Sequence, residues 1–567
     1  MTASVPRQSP PSEPDPTAQK AEPGSGRGAL FVAAGILASR LMGLVRERVF
    51  AHYLGNAEAA AVFKAALRIP NFLQNLFGEG VLSGSFIPVY AQLLGEKKQE
   101  EADRLAGAIF GLLAVATSVV VAAGMLVTPL FVDLIAPGLE GGSRELAIQL
   151  VRIVFPGTGL LVLSAWCLGI LNSHRRFFLS YLAPVVWNAV LIATLLIMGR
   201  SSTERRLVEL LSYAVVLGSF LQFAVQVPPV LRLLGQFRPS LSVASVHVRR
   251  VLRSFTTVVV GRGVVQISAY VDTAVASLLS ERALSSLFYA QTIYLIPVSL
   301  FGMAVSAAEL PEMSRATGGA APEEVNRKLR ERIDSSARRV AFFVVPSAAA
   351  FLFIGDVVGS ALLQTGRFTP ADSRYVWYLL MGAAVGLVSS AVGRLYSSAF
   401  YALKDPGTPL RFAVLRVALT AGLTWATGLY LPEWIGLPRH LGGFFITGVT
   451  GALAWLEAAL LRRSLARRIG GYVGTPPGLL TKLWACAGAA GLVALGVKLL
   501  LARLLGPMAG VAQEWGGSVL VPPAMHPVLC CIAVVLPFGI VYFALAAALG
   551  MPQAQAVFRR ASRLLGR

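Results

Sequence analysis

Residues 65–90 read AALRIPNFLQNLFGEGVLSGSFIPVY, which is too apolar for a surface loop and too interrupted for an ordinary helix. The stretch holds Pro70 and Pro88, three glycines, and the charged residues Arg68 and Glu79. Inside a membrane, such interruptions are tolerated where the freed backbone groups face protein or a water-filled cavity. The stretch therefore predicts a broken membrane helix that lines a cavity, with bends at Pro70 and the glycines. A helix kinked for packing alone is the alternative.

The composition of the whole chain agrees with a membrane location. Of the 567 residues, 55% are hydrophobic and 14% are charged, and the mean hydropathy is +0.66. A soluble domain carries about 25% charged residues. Apolar runs of about 20 residues, each long enough to cross a bilayer as a helix, recur along the chain. The sequence therefore predicts an all-α polytopic membrane protein and excludes a soluble enzyme.

Fourteen apolar runs, bounded by charged residues or by Gly and Pro clusters, are predicted to be transmembrane helices. Their approximate positions are 29–50, 58–92, 105–135, 147–172, 179–199, 207–232, 252–280, 284–312, 338–364, 374–402, 411–431, 441–461, 480–505 and 528–549. An even number of spans places both termini on the same side of the membrane.

The basic residues of the short loops indicate which side that is. With the N-terminus in the cytoplasm, most loop Lys and Arg fall on the cytoplasmic side, as the positive-inside rule requires. The loop with Arg200, Arg205 and Arg206 is the exception. The formal net charge of +21 is thus explained by topology and by contact with membrane lipids. Both termini are predicted to be cytoplasmic, and no nucleic acid partner is expected.

Two polar segments lie outside the predicted spans. Residues 1–27 are rich in Pro, Ser and Glu and lack the apolar run of a signal peptide, which predicts a disordered cytoplasmic tail. Residues 315–339 alternate charge at helical spacing. That pattern predicts an amphipathic cytoplasmic surface helix, in a loop placed to join two halves of the chain.

Charged residues within the predicted spans indicate the functional site, because each costs roughly 2.5 to 3.5 kcal/mol at the membrane centre. In span one, Arg40 and Glu47 are seven residues apart and share a helix face. In span two, Lys64 and Arg68 are four apart, and Glu79 follows after the Pro70 break. An ion network within one helix, or snorkelling to the interface, is the structural alternative for the arginines of span one.

Span seven adds Arg262, Gln266 and Asp272, which must face protein or water rather than lipid. The intramembrane charges are mostly cationic, and an arginine fork pairs bidentately with phosphate, so the pattern predicts a cavity for an anionic ligand. Asp272 is a candidate for binding a coupling cation.

No catalytic chemistry is indicated by the sequence. It contains no phosphate-binding loop of the Walker type, no nucleophile-elbow motif and no zinc-protease motif. The four cysteines and five histidines are not at metal-ligand spacings. No metal or organic cofactor is therefore expected, and a monovalent cation gradient or the membrane potential would have to drive an active process.

The segments ASRLMGLVRERVFAHYLG at 38–55 and FKAALRIPNFLQNLFGEGVLSGSFIPVYAQ at 63–92 resemble the signature of one family. Further similar segments, in the same order, are VFPGTGLL, GILNSHRRF, APVVWN, LPEMS, TGRFTPAD and FYALKDPGTPLR. The chain is similar to the MurJ (MviN) family of bacterial lipid II flippases, within the multidrug/oligosaccharidyl-lipid/polysaccharide (MOP) exporter superfamily.

This resemblance implies about fourteen helices in two lobes around a central cavity, with the last two helices forming a groove for a lipid tail. Residues 28–235 would form the N-lobe with spans one to six, and residues 236–470 the C-lobe with spans seven to twelve. Residues 471–567 would hold spans thirteen and fourteen and a basic C-terminal tail. The implied location is the bacterial cytoplasmic (inner) membrane.

The implied activity is movement of the undecaprenyl-pyrophosphate-linked peptidoglycan precursor, lipid II, to the outer leaflet by alternating access, in support of cell wall biogenesis and cell shape. In the family, cavity cations are thought to hold the pyrophosphate, and Arg40 and Arg46 match such positions. Glu79 matches the family's acidic residue in span two, and Asn71 follows its conserved proline.

Three positions depart from the family pattern, because Ala61, Asn75 and Thr292 stand where relatives usually carry an acid and two arginines. Either neighbouring cationic residues form the substrate site in place of the missing ones, or the protein carries a different lipid-linked cargo. The leading interpretation is a flippase that uses neighbouring cations. In it, one set of residues contacts the substrate: Arg40, Arg46, Lys64, Arg68, Asn71, Glu79 and Arg262. Glu47 and Gln266 support them.

Two alternatives stay open. One is an exporter of another lipid-linked oligosaccharide or amphipathic molecule. The other is a non-transporting scaffold for cell-wall synthesis proteins, with residues 1–27 and 315–339 as docking segments.

Overall fold

The computed structural model describes residues 25–303, 322–506 and 524–564, with four isolated positions between 304 and 321. Side chains at 25–34, 36–37, 79–80, 177, 181, 257–258, 260–268, 322, 558 and 560–564 also lie outside the description. The predicted tail thus falls almost wholly outside it.

Throughout the described ranges the regular structure is helical. The helices are α1 (Ser25–Leu54), α2 (Glu58–Phe77), α3 (Glu79–Gly95), α4 (Gln99–Leu126), α5 (Thr128–Ile135), α6 (Gly141–Ser173), α7 (Phe177–Met198), α8 (Glu204–Leu233), α9 (Val246–Leu279), α10 (Glu281–Pro297, extended by a π-helical turn, Val298–Met303), α11 (Pro322–Leu363), α12 (Pro370–Ala402), α13 (Gly407–Leu429), α14 (Leu431–Trp434), α15 (Gly442–Ile469, preceded by a 3₁₀ turn, Arg439–Leu441), α16 (Leu479–Leu505), α17 (Pro527–Ala548) and α18 (Pro552–Leu564).

Eleven helices in the described part of the chain are long and apolar enough to cross a membrane. They correspond one for one to predicted spans three to six and eight to fourteen. The other three predicted spans coincide with α1, with the α2–α3 pair, and with α9, and each of these carries intramembrane charge or is interrupted. The prediction of an all-α polytopic membrane protein is confirmed.

Span two is broken at Gly78, where α2 ends and α3 begins. Gly78 has φ −88° and ψ −150°, and its N–H donates to the Gln74 carbonyl at 2.7 Å. A Cβ at this position would lie 2.3 Å from that carbonyl oxygen, so only glycine fits. The predicted break is therefore present, but the prediction of a break at Pro70 was wrong. Pro70 and Pro88 both lie inside continuous helices, because a membrane helix accommodates a proline through its neighbours.

Helices within each half of the chain pack mainly on one another. In the first half, α6 lies against α2, α4 and α8, and α7 lies between α1 and α8. In the second half, α12 lies against α11 and α15, and α13 lies against α9 and α15. The α16–α17 pair packs on α11. The two halves meet through α2 with α10, α3 with α9, and α1 with α11. The exact lobe boundaries stay predictions.

Helices α12 and α15 approach unusually closely. A Cβ on Gly386 would lie 2.3 Å from the Cα of Gly451, so the two backbones touch where neither residue has a side chain. The Thr447 hydroxyl donates across the same interface to the Leu379 carbonyl at 2.9 Å. Small residues of this kind are what allows membrane helices to pack tightly, because lipid supplies no hydrophobic drive for helix association.

Of the predicted surface helix at 315–339, residues 315–321 lie outside the described residues, and the remainder is not a separate element. Residues 322–339 are the first part of the 42-residue α11 and run without interruption into the ninth span. The amphipathic pattern itself is present: Val325, Leu329 and Ile333 are buried at successive turns. No proline or glycine lies between residue 323 and Pro346, so nothing ends the helix at the membrane surface.

Candidate functional site

Three of the predicted charged residues form one cluster between α1 and α2. The Arg46 guanidinium donates to the Glu47 carboxylate at 2.8 Å. The Lys64 ammonium lies 3.1 Å from the other oxygen of the same carboxylate. The exposed fractions are 24% for the Arg46 side chain, 12% for Glu47 and 9% for Lys64. One buried carboxylate therefore holds two cations near each other, and Arg46 is the more accessible of the two.

Neutral groups complete the surroundings of Arg46. Its second terminal nitrogen donates to the Asn188 side-chain oxygen at 3.0 Å. Its guanidinium lies 5.1 Å from the centre of the Trp187 ring. Both contacts come from α7, which packs along α1. A guanidinium held by an amide and an aromatic face keeps its full charge, so it remains able to pair with an anion.

Lys64 is surrounded by aromatic rings instead. Its ammonium lies 3.0 Å from the centre of the Tyr289 ring and 5.0 Å from that of Phe50. The Tyr289 hydroxyl donates to the Gly55 carbonyl at 2.7 Å, which fixes the ring beneath the ammonium. Cation–π contact of a desolvated cation is worth up to about 2 kcal/mol, so Tyr289 compensates part of the cost of burying Lys64.

Arg68, one turn further along α2, connects the first half of the chain to the second. It donates to the Gln291 side chain at 3.0 Å and to the Ala269 carbonyl at 3.2 Å. The Tyr270 hydroxyl donates back to the Arg68 carbonyl at 3.2 Å. Among the described residues Arg68 has no carboxylate partner, so the cluster of Arg46, Glu47, Lys64 and Arg68 carries a net positive charge.

Asp272 of α9 is buried, with 7% exposure, and accepts a hydrogen bond from the Thr450 hydroxyl at 3.1 Å. It therefore lies in the second half of the chain, hydrogen-bonded to α15 and close enough to Arg68 for their charges to interact. No group of three or more His, Cys, Asp or Glu that could hold a metal ion is found among the residues that the structure describes.

Two predicted site residues stand apart from the cluster. Arg40 and Asn71 are exposed and make no hydrogen bond or ion pair to the described residues. The predicted sharing of a helix face did not bring Arg40 to Glu47, because Glu47 is turned toward Arg46 and Lys64. The side chains of Glu79, Arg262 and Gln266 lie outside the described residues.

The three positions that depart from the family pattern carry no substitute charge. Ala61 is fully buried, Asn75 is exposed, and the Thr292 hydroxyl donates to the Phe288 carbonyl of its own helix at 3.0 Å. The cations of span two are instead Lys64, one turn after Ala61, and Arg68.

Sequence reasoning missed Trp187, Asn188, Tyr289 and Gln291. Each is uncharged, so a search for intramembrane charges does not select it. A signal was present for the first two, which lie in the segment APVVWN that resembles the family's, whereas the last two lie in YAQTIYLIP, beside the departure at Thr292.

The site is closed at the end of the bundle where α1 turns into α2. Arg48 donates to the Ala361 carbonyl at 2.6 Å, and the Arg367 backbone N–H donates to the His52 carbonyl at 3.0 Å. His52 also hydrogen-bonds the Thr365 hydroxyl at 2.8 Å. These contacts join the first half of the chain to the end of α11, beyond the buried cations.

The described helices have the fold of membrane transporters of known structure. An inward-facing multidrug resistance MATE family transporter superposes with a TM-score of 0.62 at 17% identity, covering 78% of this chain and 98% of that one. A structure titled "Lipid II flippase MurJ, inward closed conformation" superposes with a TM-score of 0.70 at 20% identity, covering 92% of this chain and 99% of that one.

Sequence comparison narrows the class to one family. The family model described as "Lipid II flippase MurJ" matches residues 50–512. The "Probable lipid II flippase MurJ" of Rhizobium meliloti is 30% identical over 489 residues, 85% of this chain and 88% of that protein. The "Lipid II flippase MurJ" of Burkholderia cenocepacia is 29% identical over 544 residues, 95% of this chain and 99% of that protein. The chain belongs to the MurJ family, as the sequence motifs predicted.

Proposed function

We propose that the protein is a lipid II flippase. It moves the undecaprenyl-pyrophosphate-linked precursor from the inner to the outer leaflet of the bacterial cytoplasmic membrane by alternating access, with both termini in the cytoplasm. The chain matches its flippase relatives over most of their length, so the family's activity is the first expectation. The observation that carries the proposal is the partly buried cluster of Arg46, Glu47 and Lys64 between α1 and α2.

The chemistry of this cluster suits a pyrophosphate. Arg46 bonds one neutral acceptor, the Asn188 amide, which a phosphate oxygen can replace with a stronger, charge-assisted hydrogen bond. Glu47 keeps the two cations from repelling each other when no ligand is bound. Because the same carboxylate would repel an arriving phosphate, binding requires Arg46 to turn from Glu47 toward the ligand. The affinity for the pyrophosphate is thereby limited. A limited affinity suits a transporter, because a transporter must also release its cargo.

For the driving force, we propose that Asp272 is a ligand of a coupling monovalent cation. Among the described residues, the hydrogen-bond donor to this buried carboxylate is the Thr450 hydroxyl, which a cation can replace. Binding would alter the contact between α9 and α15. The membrane potential acting on the intramembrane cations is the alternative source of energy.

Transport of a fluorescent undecaprenyl-pyrophosphate-linked probe across proteoliposomes tests the function. Arg46→Ala and Lys64→Ala are expected to lower the initial rate by roughly tenfold to a hundredfold, the range for losing one hydrogen bond to a charged group. Arg144→Ala, which removes an exposed cation paired with Asp133, is the matched control and should transport normally. Unchanged transport in both cluster variants would refute the cationic mechanism.

A second candidate cargo, another lipid-linked oligosaccharide or amphipathic molecule, is favoured by the absence of charge at Ala61, Asn75 and Thr292. Complementation of a flippase-depleted bacterium separates the two cargoes, since growth requires lipid II transport. Mass analysis of lipids that copurify with the protein then identifies the cargo. A scaffold for cell-wall synthesis proteins would instead complement without the cluster cations but not without residues 1–27 or 315–339.

A further inference from the structure

A pocket of about 550 Å³ lies far from the cationic cluster, at the end of the bundle where the last helix begins. Its walls are the first half of α11, the first turns of α16, and the start of α18. Arg338 and Arg339 line one side, and Phe342, Leu483 and Met551 are among the residues that line the other. The volume falls in the range of about 300 to 1,000 Å³ that ligand sites occupy.

The two arginines of this pocket are compensated at most in part, since the carboxylate whose charge acts on Arg338 is Asp334, which has a bond of its own. Both side chains are exposed, and neither makes an ion pair or hydrogen bond with the described residues. Other basic residues of the same helix are engaged: Arg327 pairs with Glu331 at 3.2 Å, and Arg330 donates to the Ile469 carbonyl at 3.0 Å. Asp334, one turn before Arg338, accepts the Gly474 N–H at 2.7 Å. Two neighbouring guanidiniums thus remain available to an external anion.

Apart from Ser335 and Gln553, the rest of the pocket lining is apolar. Phe342 packs on the Tyr542 and Phe543 rings of α17, at ring-centre distances of 5.6 and 5.9 Å. Leu483 is buried in the second turn of α16. Arginines next to apolar residues at the end of a transmembrane bundle complement the two parts of a phospholipid at the interface. The arginines would contact its charged headgroup, and the apolar residues would contact its hydrocarbon chain.

Helix α18, which forms the third side of the pocket, also has the properties of a segment that contacts phospholipid. α18 is amphipathic: Ala554 is buried, whereas the polar residues Gln555 and Arg559 are exposed. The sequence continues RRASRLLGR to the end of the chain. A short amphipathic helix with clustered arginines beside a transmembrane span is typical of segments that contact an anionic membrane surface.

We propose that this pocket binds an anionic phospholipid of the surrounding bilayer, with its phosphate between Arg338 and Arg339 and its glycerol and upper acyl chain against Leu479 and Met551. The occupant is a bulk lipid rather than the transported one, because the pocket opens beside a membrane-surface helix and is separate from the buried cluster at Arg46. A bound lipid would join α18 and α16 to α11, and so would stabilise the terminal helices.

Native mass spectrometry of the full-length protein, with phosphatidylglycerol and phosphatidylcholine added in turn, tests the proposal. The expected result is preferential retention of phosphatidylglycerol and a higher melting temperature in its presence. The double variant Arg338→Ala/Arg339→Ala should lose at least about tenfold in phosphatidylglycerol affinity. The double variant Arg338→Lys/Arg339→Lys should keep the preference for phosphatidylglycerol. Because it keeps both positive charges, it distinguishes loss of charge from loss of folding. Lys328→Ala/Arg327→Ala, on the same helix outside the pocket, is the matched control and should bind normally.

Three outcomes would overturn the proposal. They are equal binding of the two phospholipids by the wild-type protein, an unchanged affinity in the double alanine variant, and displacement of phosphatidylglycerol by an equal concentration of undecaprenyl pyrophosphate, which would assign the pocket to the transported lipid. Competition by millimolar inorganic phosphate alone would also overturn it, because the site would then hold a free anion. None of these measurements uses transport, so they are independent of the flippase assay.

Discussion

The ammonium of Lys498 lies 2.5 Å from a carboxylate oxygen of Asp356, and both side chains are shut off from solvent, with 0% and 2% exposure. Lys498 belongs to α16 and Asp356 to α11, two turns before that helix ends. The Trp377 ring of α12 lies 5.2 Å from the same ammonium. An ion pair inside the bundle therefore fixes the terminal α16–α17 pair to the second half of the molecule.

Removing one partner of this ion pair should destabilise the protein strongly. In Lys498→Met, the Asp356 carboxylate is left buried without its cation, which typically costs about 3 to 5 kcal/mol. Thermal unfolding in detergent should show a correspondingly lower melting temperature. The double variant Lys498→Met/Asp356→Leu should recover most of the loss, since a well-packed apolar pair replaces a buried ion pair at little cost. A double variant as unstable as the single one would argue against the pair being the cause.

The ring of Tyr289 should contribute more to transport than its hydroxyl group does. Tyr289→Phe keeps the face beneath Lys64 and loses only the hydrogen bond to Gly55, at a cost of about 0.5 to 1.5 kcal/mol in stability. Tyr289→Leu also removes the cation–π contact, so it should lower transport severalfold more than the phenylalanine variant does. Initial rates in proteoliposomes compare the two. Equal transport by both would show that the ring does not support Lys64.

Gly78→Ala should impair transport, because the added Cβ would lie 2.3 Å from the Gln74 carbonyl oxygen and the chain must shift to admit it. Gly43 is the matched control, since it lies inside α1 with open space around its would-be Cβ. Gly43→Ala is expected to transport normally and to be slightly more stable, by about 0.5 to 1 kcal/mol. Normal transport in Gly78→Ala would show that the break in span two is not required.

Acid should weaken the loop before α13 through Asp405. Hydrogen bonds from Thr408, and then the charge of Arg468, lower the pKa of Asp405 below its ordinary value of 3.8. A carboxyl group with a lowered folded-state pKa stabilises the protein above its unfolded pKa, and this contribution is lost as the pH falls through the folded-state value. Melting temperatures measured between pH 6 and pH 3 should therefore fall more for the wild type than for Asp405→Asn. Parallel curves for the two proteins would exclude this role.

The sequence alone predicted most of the fold, because a run of twenty apolar residues has one stable conformation in a bilayer. It also placed Lys64 and Arg68 on one helix face, which requires only helical spacing. What it could not supply was contact between distant residues: Lys64 and Tyr289 are separated by more than two hundred positions. The break at Gly78 rather than Pro70 depends on a single backbone approach to Gln74, which composition does not encode. The joining of residues 322–339 to the ninth span shows the same limit.

The interruption of span two at Gly78 has a mechanical consequence. The upstream segment, α2, bears Lys64 and Arg68 and packs mainly against α6 and α10, whereas the downstream segment, α3, packs against both α6 and α9. If α2 and α3 formed one continuous helix, every tilt of α3 would also move Lys64 and Arg68. Because the helix axis is interrupted at one glycine, α3 can tilt without carrying Lys64 and Arg68 with it. In the proposed flippase, opening of the passage and binding of the headgroup would then be two separate movements.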